Sequence, residues 1–538
     1  MSFPSPKGYW MLVLHSHLPF VRHPEYKDSL EERWLYEAIT ETYIPLLDLF
    51  ERLTKERINF KLVISLTPTL CEMLSDELLQ ERYLNHLNLL IELAEKEKIR
   101  TQYNSDLNLI SIMYLKRLKG IHKIYTENYN KNILSGFKYF QEKGNIEIIT
   151  SSATHAFLPL LNIYPNAVRA QVLIGISEYE RHFGIKPEGI WNSECGYYPG
   201  LEKILEEGNI KYFFVDTHGI LYASRYPKYG VYAPLVTENN IAYFGRDVET
   251  SESVWSAREG YPGDPYYREF YRDIGFDLDY EYIKPYIHES GLRISTGIKY
   301  HRITSKNTPL EYKQYYDPEK ALQKVKEHAT HFALRREQQI ENLCVYMDRA
   351  PLIVSMYDSE LFGHWWYEGP EFLYYVFKLI DQSNIVSTML PGEYLQQYPE
   401  NQIANPPLSS WGFNGYNEFW LNDTNDWIYR HIHKCCERMI EMANKNRNLK
   451  ESLCIRALNQ AARELLLAQS SDWAFIMKTN TMSDYAVKRT RTHILNFNKI
   501  YEMIKDKKID GLWLSEIESR NNIFPDIDFT IYCDKIEV

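Results

Sequence analysis

Residues 351–373, PLIVSMYDSELFGHWWYEGPEFL, hold the strongest indication of fold in the chain. Residues 351–356 form a short apolar run between a proline and a polar cluster, which is typical of a buried parallel strand. Asp358 follows at the carboxyl end of that strand, the edge at which parallel α/β folds carry their chemistry. The aromatic run 364–367 comes next, so a carboxylate stands beside an aromatic surface of the size of a sugar ring. A plain loop above a core strand is the alternative interpretation.

The same pattern recurs along the chain, where apolar runs end in polar or ionisable side chains. The sequence predicts strands at residues 9–14, 61–66, 146–150, 189–191, 211–215, 351–356 and 385–390. The side chains at their carboxyl ends include His15, His17, His155, Glu194, Asp216 and Asp358. Because the parallel strands of a barrel end at one rim, we expect these side chains to converge there. The sequence therefore predicts an α/β fold, a barrel built on seven strands.

Two segments interrupt the predicted barrel. Residues 99–143 contain Tyr, Lys and Asn at helical spacing and no strand-like run, which predicts a small helical insertion. Residues 217–310 are rich in loops with Gly and Pro, and a long connection of this kind is typical of an excursion over an active site. We therefore expect the barrel to continue on both sides of the insertion.

The character of the sequence changes after about residue 400. Three helices are predicted there, at residues 424–445, 448–470 and 480–506. The predicted division of the chain is a catalytic barrel of residues 1–98 and 144–400, a helical insertion of residues 99–143, and a C-terminal all-helical domain of residues 401–538. Trp411 and Trp420 fall in the linker, where exposed rings would be a liability. We expect them to pack between the domains or to line a groove there that residues 471–473 also reach.

The composition narrows the classes of partner. Of the 538 residues 14% are aromatic, with 43 Tyr and 11 Trp, and flat rings in such numbers suit stacking on sugars as well as core filling. A net charge of −11 argues against nucleic acid as a partner. The apolar run at residues 10–14 is too short for a signal peptide, and none approaches the roughly 20 residues of a membrane span. With seven cysteines in no pairing pattern, a cytoplasmic protein is expected.

The pair His15 and His17 puts two imidazoles on one side of a strand end, because side chains alternate along a strand. This arrangement suits a metal site or hydrogen bonds to a substrate. Two histidines close together are more often hydrogen-bonded structural groups.

Glu194 and Asp358 both have Trp and Tyr close by in the sequence, and two carboxyl groups are sufficient to cleave a glycosidic bond. One carboxylate acts as nucleophile or base and the other as acid. Where two such groups lie roughly 5 to 5.5 Å apart, the reaction retains the anomeric configuration through a covalent glycosyl intermediate, which can pass to another sugar instead of to water. A structural ion pair with a nearby Arg or His is the alternative for each.

Several long motifs carry a resemblance to a known family. They are HSHLPF at 15–20, TSSATHAFLPLL at 150–161, GIWNSECGYYPGLE at 189–202, FGRDVETSESVWSAREGYPGDPYYREFYRDIGFDL at 244–278, YDSELFGHWWYEGPEFL at 357–373 and SSWGFNGYNEFWL at 409–421. Through these motifs, which span essentially the whole chain, the sequence resembles glycoside hydrolase family 57, and within it the 1,4-α-glucan branching enzymes. The resemblance implies a (β/α)7 barrel with a helical insertion and a C-terminal helical domain.

The same resemblance implies roles for individual residues. It implies Glu194 as the nucleophile and Asp358 as the general acid/base, with no metal and no cofactor. The substrate-binding residues that it implies are His15, His17, His155, Trp34, Tyr232, Trp255, Arg268, Trp411, Trp420 and Asp472. Tyr232 falls in segment 229–234, which resembles a mobile loop over the site, and a tyrosine there would hinder water from reaching the intermediate. Phe276 stands where close relatives are expected to have Trp, so an N–H donor is lost at a subsite or domain contact.

The leading hypothesis is a retaining transglycosylase of glycogen branching, which cuts an α-1,4-glucan such as amylose or a glycogen precursor and rejoins it through an α-1,6 link. A 4-α-glucanotransferase or an α-amylase of the same family is the nearest alternative, because acceptor geometry decides the linkage. A metal-dependent polysaccharide deacetylase and a non-catalytic glucan-binding protein are further alternatives. We expect a monomer or weak homo-oligomer with neither nucleic acid nor membrane as a partner.

Overall fold

The computed structural model describes residues 6–256 and 260–535. Residues 1–5 and 536–538 of the predicted barrel and helical domain, and residues 257–259 of the fourth motif, lie outside the described residues.

The strands are β1 (Gly8–Ser16), β2 (Leu62–Leu66), β3 (Ile146–Ser151), β4 (Gly189–Trp191), β5 (Tyr212–Val215), β6 (Leu235–Val236), β7 (Ala242–Gly245), β8 (Leu352–Asp358) and β9 (Val386–Thr388). The helices are α1 (Glu32–Ala38), α2 (Ile44–Lys55), α3 (Pro68–Ser75), α4 (Glu77–Arg100), α5 (Ser105–Lys123), α6 (Leu134–Glu142), α7 (Pro165–Phe183), α8 (Leu201–Glu207), α9 (Thr217–Leu221), α10 (Val248–Trp255), α11 (Ile274–Asp277), α12 (Tyr280–Ile283), α13 (Pro318–Cys344), α14 (Gly369–Asp381), α15 (Pro391–Gln397), α16 (Trp427–Asn446), α17 (Ser452–Ala468), α18 (Ser471–Thr479), α19 (Ser483–Lys505) and α20 (Gly511–Arg520).

The strands form one curled sheet in the order β6-β7-β5-β4-β3-β2-β1-β8, with β9 paired to β1. Every pairing is parallel except the antiparallel pair β6 and β7. Just beyond β7, the Asp247 N–H donates to the Val354 carbonyl of β8 at 2.9 Å, which brings the two ends of the curl together. The predicted α/β fold class, with its curled parallel sheet and C-terminal helices, is confirmed.

Strands β6 and β7 correct the prediction that residues 217–310 hold only loops. At two and four residues they are too short for a periodic pattern to show among Gly and Pro. The predicted last strand also differs, because β9 covers only Val386–Thr388 and pairs with the first residues of β1. The seven-stranded parallel path therefore includes β7 in place of β9.

Alternate side chains of the strands fill the inside of the curl. On β1 the odd-numbered residues from 9 to 13 belong to the interior cluster, whereas their even-numbered neighbours pack toward the helices. On β8 the even-numbered residues 352–356 lie inside. Continuing this alternation by one step places both His15 and Asp358 on the inside, at the carboxyl ends of their strands. The two residues are direct partners in the β1–β8 register.

A π-helical turn, Ile39–Tyr43, lies between α1 and α2 and contacts the loop that follows β8. The Glu41 carboxylate accepts a hydrogen bond from His364 Nδ1 at 2.5 Å, and the Tyr43 hydroxyl donates to the Glu360 carboxylate. Single π-helical turns are rare and occur frequently at functional sites. The turn therefore fixes the loop that begins at Asp358.

The helices α16 to α19 pack together and reach the sheet through the start of α18. The Ser471 N–H donates to the carbonyl of His155 at 3.0 Å, and Ala156 and Ser470 form a backbone bridge. None of the described helices combines the length and apolar character needed to cross a membrane. The helical segment thus supplies side chains to the rim at which the strands end.

Candidate active site

A cavity of about 550 Å³ lies at the carboxyl ends of the strands. Its lining residues are His15, His17, Leu18, His155, Glu194, Arg246, Trp255, Asp358, Glu360, Trp365, Trp411, Gly412, Asp472 and Phe475. Eight of the twelve predicted site residues are therefore together: His15, His17, His155, Glu194, Trp255, Asp358, Trp411 and Asp472.

Glu194 follows β4 in a turn of unusual backbone conformation. Its φ is 62° and that of Cys195 is 51°, in the left-handed region that non-glycine residues rarely adopt, and such strain clusters at functional sites. Trp411 Nε1 donates to one carboxylate oxygen at 2.7 Å and the Ser471 hydroxyl donates to the other at 2.9 Å. Burial raises the pKa of Glu194, and the two hydrogen bonds oppose that rise by stabilising the anion.

A chain of hydrogen bonds leads from β2 to the Glu194 carboxylate. Ser65 Oγ lies 3.2 Å from His15 Nδ1, and His15 Nε2 lies 3.0 Å from His155 Nε2. His155 Nδ1 in turn lies 2.9 Å from Ser471 Oγ. Burial lowers the pKa of both His15 and His155 well below the ordinary value, so each ring is neutral and carries one proton.

The proton positions along this chain follow from its last member. Because the Ser471 hydroxyl donates to Glu194, it accepts from His155 Nδ1–H, and His155 Nε2 is left as an acceptor. His15 Nε2–H then donates to His155, and His15 Nδ1 accepts from Ser65. Every hydrogen bond in the chain thus points toward Glu194, which stabilises its negative charge.

His17 and Asp472 form a second polar pair beside this chain. Their side chains bond at 2.9 Å, and His17 also bonds Thr67 at 2.9 Å. Although burial opposes it, the charge and hydrogen bond of His17 hold the pKa of Asp472 at about 2. Ligand atoms of His17, His155 and Asp472 lie within 4.8 Å of one another, as three ligands of a metal ion would. Each of these side chains already has hydrogen-bond partners that a metal ion would displace, which argues against a metal site. That the site holds no metal stays a prediction.

Asp358 has a different electrostatic environment from Glu194. Burial, and after it the charges of Glu360 and Glu194, raise the pKa of Asp358 well above its usual range, and the Arg246 guanidinium opposes them in part. Two carboxyl groups whose surroundings separate their pKa values are suited to be one acid and one nucleophile. The cavity therefore holds one carboxyl group, Asp358, whose pKa is raised well above its usual range, and another, Glu194, that accepts two hydrogen bonds.

Aromatic side chains form much of the remaining wall. The Trp411 ring meets Trp191 edge-on at 5.1 Å while its N–H is bound to Glu194. Trp255 ends α10 with 42% of its surface exposed, and Trp365 is 54% exposed. Exposed aromatic faces beside carboxylates suit a sugar, which has an apolar ring face and polar hydroxyls.

Two predicted substrate-binding tryptophans lie elsewhere. Trp420 is 1% exposed and stacks on Phe157 at 4.4 Å, so it packs in the core instead of facing the cavity. Trp34 on α1 meets Tyr485 of α19 edge-on at 5.9 Å, outside the cavity lining. Both rings join the barrel segment to the helical segment, which explains why the sequence places large aromatics there.

The remaining two predicted substrate-binding residues also lie outside the cavity lining, and their role in binding stays a prediction. Arg268 is buried, with its guanidinium 4.3 Å from the centre of the Tyr367 ring and 3.8 Å from Glu41, behind the loop that follows Asp358. The Tyr232 carbonyl accepts from the N–H of Leu352, which begins β8. Asp358 ends that strand, about 20 Å away at 3.3 Å per residue, so Tyr232 lies at the opposite end of the sheet.

The sequence reasoning missed several residues of the site. Segment 471–473 was expected to reach the groove, but no pattern in the sequence indicated that the Ser471 hydroxyl donates to Glu194. Arg246 lines the cavity and pairs with Asp216, the strand-end acid, at 2.6 Å. Phe276, the expected departure from the family, is 51% exposed on α11 and is outside the lining.

Comparisons with known proteins agree on one family. A family model described as "Glycosyl hydrolase family 57" matches residues 11–343, and one described as "1,4-alpha-glucan branching enzyme, C-terminal" matches residues 431–532. The chain is 35% identical to a 1,4-alpha-glucan branching enzyme of Thermococcus kodakarensis, over 96% of this chain and 77% of that protein.

Solved structures give the same result. The alpha-amylase AmyC from Thermotoga maritima superposes with a TM-score of 0.93 at 48% identity, covering 98% of this chain and 99% of that one. A family 57 branching enzyme from Pyrococcus horikoshii superposes with a TM-score of 0.88 at 34% identity, covering 99% of this chain and 98% of that one. These similarities extend over the cavity and the helices that complete it.

Proposed function

The chain belongs to glycosyl hydrolase family 57, and from that membership we propose that it is a 1,4-α-glucan branching enzyme. The observation that carries the proposal is the presence of Glu194 and Asp358 in one cavity, where hydrogen bonds from Trp411 and Ser471 oppose the raised pKa of Glu194 while neighbouring carboxylates add to that of Asp358. The branching-enzyme match of the C-terminal helices supports the transfer outcome, because those helices contribute Asp472 and Phe475 to the same cavity.

In the proposed reaction the Glu194 carboxylate attacks the anomeric carbon of a glucosyl unit. Asp358 gives its proton to the glycosidic oxygen, so the reducing-side chain leaves as an alcohol. Asp358, now ionised, takes the proton of a C6 hydroxyl on an acceptor glucan, whose oxygen displaces Glu194 at the anomeric carbon. Two inversions retain the α configuration and produce an α-1,6 branch. The donors Trp411 and Ser471 hold Glu194 in place and stabilise it as the leaving carboxylate.

The remaining residues have supporting roles in this proposal. His15, His17, His155 and Asp472 bind sugar hydroxyls and orient the carboxylates, while Trp255 and Trp411 contact the glucan. Residues 6–98 and 144–400 form the catalytic barrel, residues 99–143 the insertion and residues 401–535 the helical domain that completes the groove. The substrate is an α-1,4-glucan, and we place the enzyme in the cytoplasm as a monomer or weak homo-oligomer.

The product of transfer tests the proposal directly. Incubation with amylose, followed by enzymatic debranching and chain-length analysis, is expected to release new short chains that were joined through α-1,6 links. Soluble maltooligosaccharides without branch points would contradict branching and support the α-amylase or 4-α-glucanotransferase alternative, for which the similarity to the Thermotoga enzyme is the specific observation.

Glu194→Gln tests the retaining mechanism that both outcomes share. The amide keeps the shape of the side chain but is a far weaker nucleophile, so we expect the loss of at least about 10³-fold of activity on amylose, about 4 kcal/mol of barrier. Activity that is unchanged in this variant would contradict both outcomes. Release of acetate from an acetylated polysaccharide, abolished by a chelator, would instead favour a metal-dependent deacetylase at His17, His155 and Asp472.

A further inference from the structure

Trp365 is the most exposed tryptophan in the lining of the cavity, with 54% of its surface accessible. It belongs to the loop that begins at Asp358, the proposed general acid/base, and its backbone N–H donates to the carbonyl of Glu360 at 3.1 Å. Its neighbour Trp366 is 1% exposed and packs in the core. The two adjacent tryptophans thus have different environments, and of the two it is Trp365 whose ring faces the cavity.

One face of the Trp365 indole is already covered. Phe270 stacks on it at a centroid distance of 4.4 Å and an interplanar angle of 21°, and the Lys299 ammonium lies 4.3 Å from the centre of the Phe270 ring. His364 meets both rings edge-on and is itself bonded to Glu41 on the π-helical turn. The opposite face of the indole is left for a ligand, on a support that needs no rearrangement when one binds.

The position of Trp365 decides which part of a glucan it meets. The groups that surround Glu194 come from other elements, namely Trp411 and Ser471 of the C-terminal segment and His155 after β3. An acid that protonates a glycosidic oxygen faces the sugar on the leaving side of the bond, because that oxygen departs with it. A platform on the loop of the acid is therefore on the leaving and accepting side.

We propose that the free face of Trp365 binds the glucosyl residues on the reducing side of the cleaved bond and, after cleavage, the acceptor chain. The inference rests on the proposed function, since it assigns one side of that site. The ligand is an uncharged α-glucan chain, recognised by stacking of its apolar sugar face on the indole. Trp365 thereby decides whether sugar or water takes the glucosyl group from Glu194.

Two donors that differ only in the leaving group test this assignment. Maltoheptaose needs sugar subsites on both sides of the cleaved bond, whereas α-maltosyl fluoride releases fluoride and needs only the donor side when water is the acceptor. We expect Trp365→Ala to lower kcat/KM on maltoheptaose roughly 10- to 100-fold, as the loss of a stacked aromatic ring implies. The loss on α-maltosyl fluoride should be at least tenfold smaller, and the products from maltoheptaose should shift from transfer to hydrolysis.

The controls separate stacking from folding. Trp365→Tyr keeps a flat ring and should recover most of the lost activity. Tyr346→Ala removes an aromatic that is 85% exposed and lies before the start of β8, outside the cavity lining, so kcat/KM on both donors should stay at the wild-type value. Equal losses on both donors, or no loss on maltoheptaose, would overturn the assignment of Trp365 to the acceptor side. A wild-type enzyme that acts neither on these donors nor on amylose would instead overturn the proposed function itself.

Discussion

The Glu360 carboxyl group is close enough to Asp358 for its charge to raise the pKa of that residue, after the larger effect of burial. Asp358 must hold a proton to act as an acid, so activity should fall as the pH rises through its raised pKa. Glu360→Gln removes the negative neighbour, which lowers the pKa of Asp358. We expect the alkaline limb of the profile of kcat/KM against pH to move to lower pH in this variant.

The matched control is Glu341→Gln, which removes an exposed carboxylate of α13 that pairs with Lys7 outside the cavity. Its pH profile should coincide with that of the wild type. An alkaline limb that stays in place or moves to higher pH in Glu360→Gln would show that Glu360 does not act on the acid.

Single residues show where sequence reasoning stops. The alternation of a strand predicts that His15 and Asp358 face one rim, because the side-chain period of two follows from the backbone alone. Trp411 and Trp420 are nine positions apart in one linker, yet one bonds Glu194 and the other is 1% exposed. No local pattern distinguishes them, because the difference is made by Phe157, which lies far away in the sequence.

At the scale of elements, the backbone of the π-helical turn Ile39–Tyr43 lies close to the loop after β8 at Gly363. Gly363 has φ of +118°, and a Cβ there would lie 1.9 Å from the carbonyl oxygen of Glu41. Gly363→Ala therefore combines backbone strain with a backbone clash, so we expect a loss of at least about 2 kcal/mol in the free energy of unfolding. Activity should also fall, because the loop carries Asp358 and Trp365.

Gly200→Ala is the control for the strain alone. Gly200 has φ of +109°, but no atom lies within 4 Å of the position that a Cβ would take there, so only the conformational cost of about 1 kcal/mol applies. Denaturant unfolding gives the free energy of unfolding of both variants, and assays on amylose give their activity. Equal stability and activity in the two variants would mean that the loop does not depend on the close contact with the turn.

The elements themselves were predictable in proportion to their length. Strands β1 and β8 have nine and seven residues, all or nearly all buried, and each appears as an apolar run that periodicity detects. Strand β7 has four residues among loops, and the π-helical turn differs from an α-helix only by its hydrogen bonds, so neither leaves a pattern in the sequence. Both position the site, β7 by leading to Arg246 and the turn by holding Glu360.

At the scale of the whole molecule, Trp420 joins the C-terminal segment to the barrel by stacking on Phe157. Removal of a fully buried tryptophan costs about 3 to 5 kcal/mol, so Trp420→Ala should lower the free energy of unfolding by that amount. Trp420→Phe keeps an aromatic stack and should lose much less. Thermal unfolding measures both variants, and a raised KM in Trp420→Ala without lost stability would restore the predicted role in glucan binding.

The cavity is assembled from residues that are far apart in the chain, from His15 to Phe475. On a ribosome that adds roughly 5 to 20 residues per second, Ser471 is made several seconds after Asp358, and domains generally fold from the N-terminus as they emerge. During that interval the nascent chain holds an acid and a nucleophile but lacks the hydroxyl that bonds Glu194. A product of interrupted synthesis that ends before Ser471 therefore lacks one of the two hydrogen bonds that the finished enzyme makes to the Glu194 carboxylate.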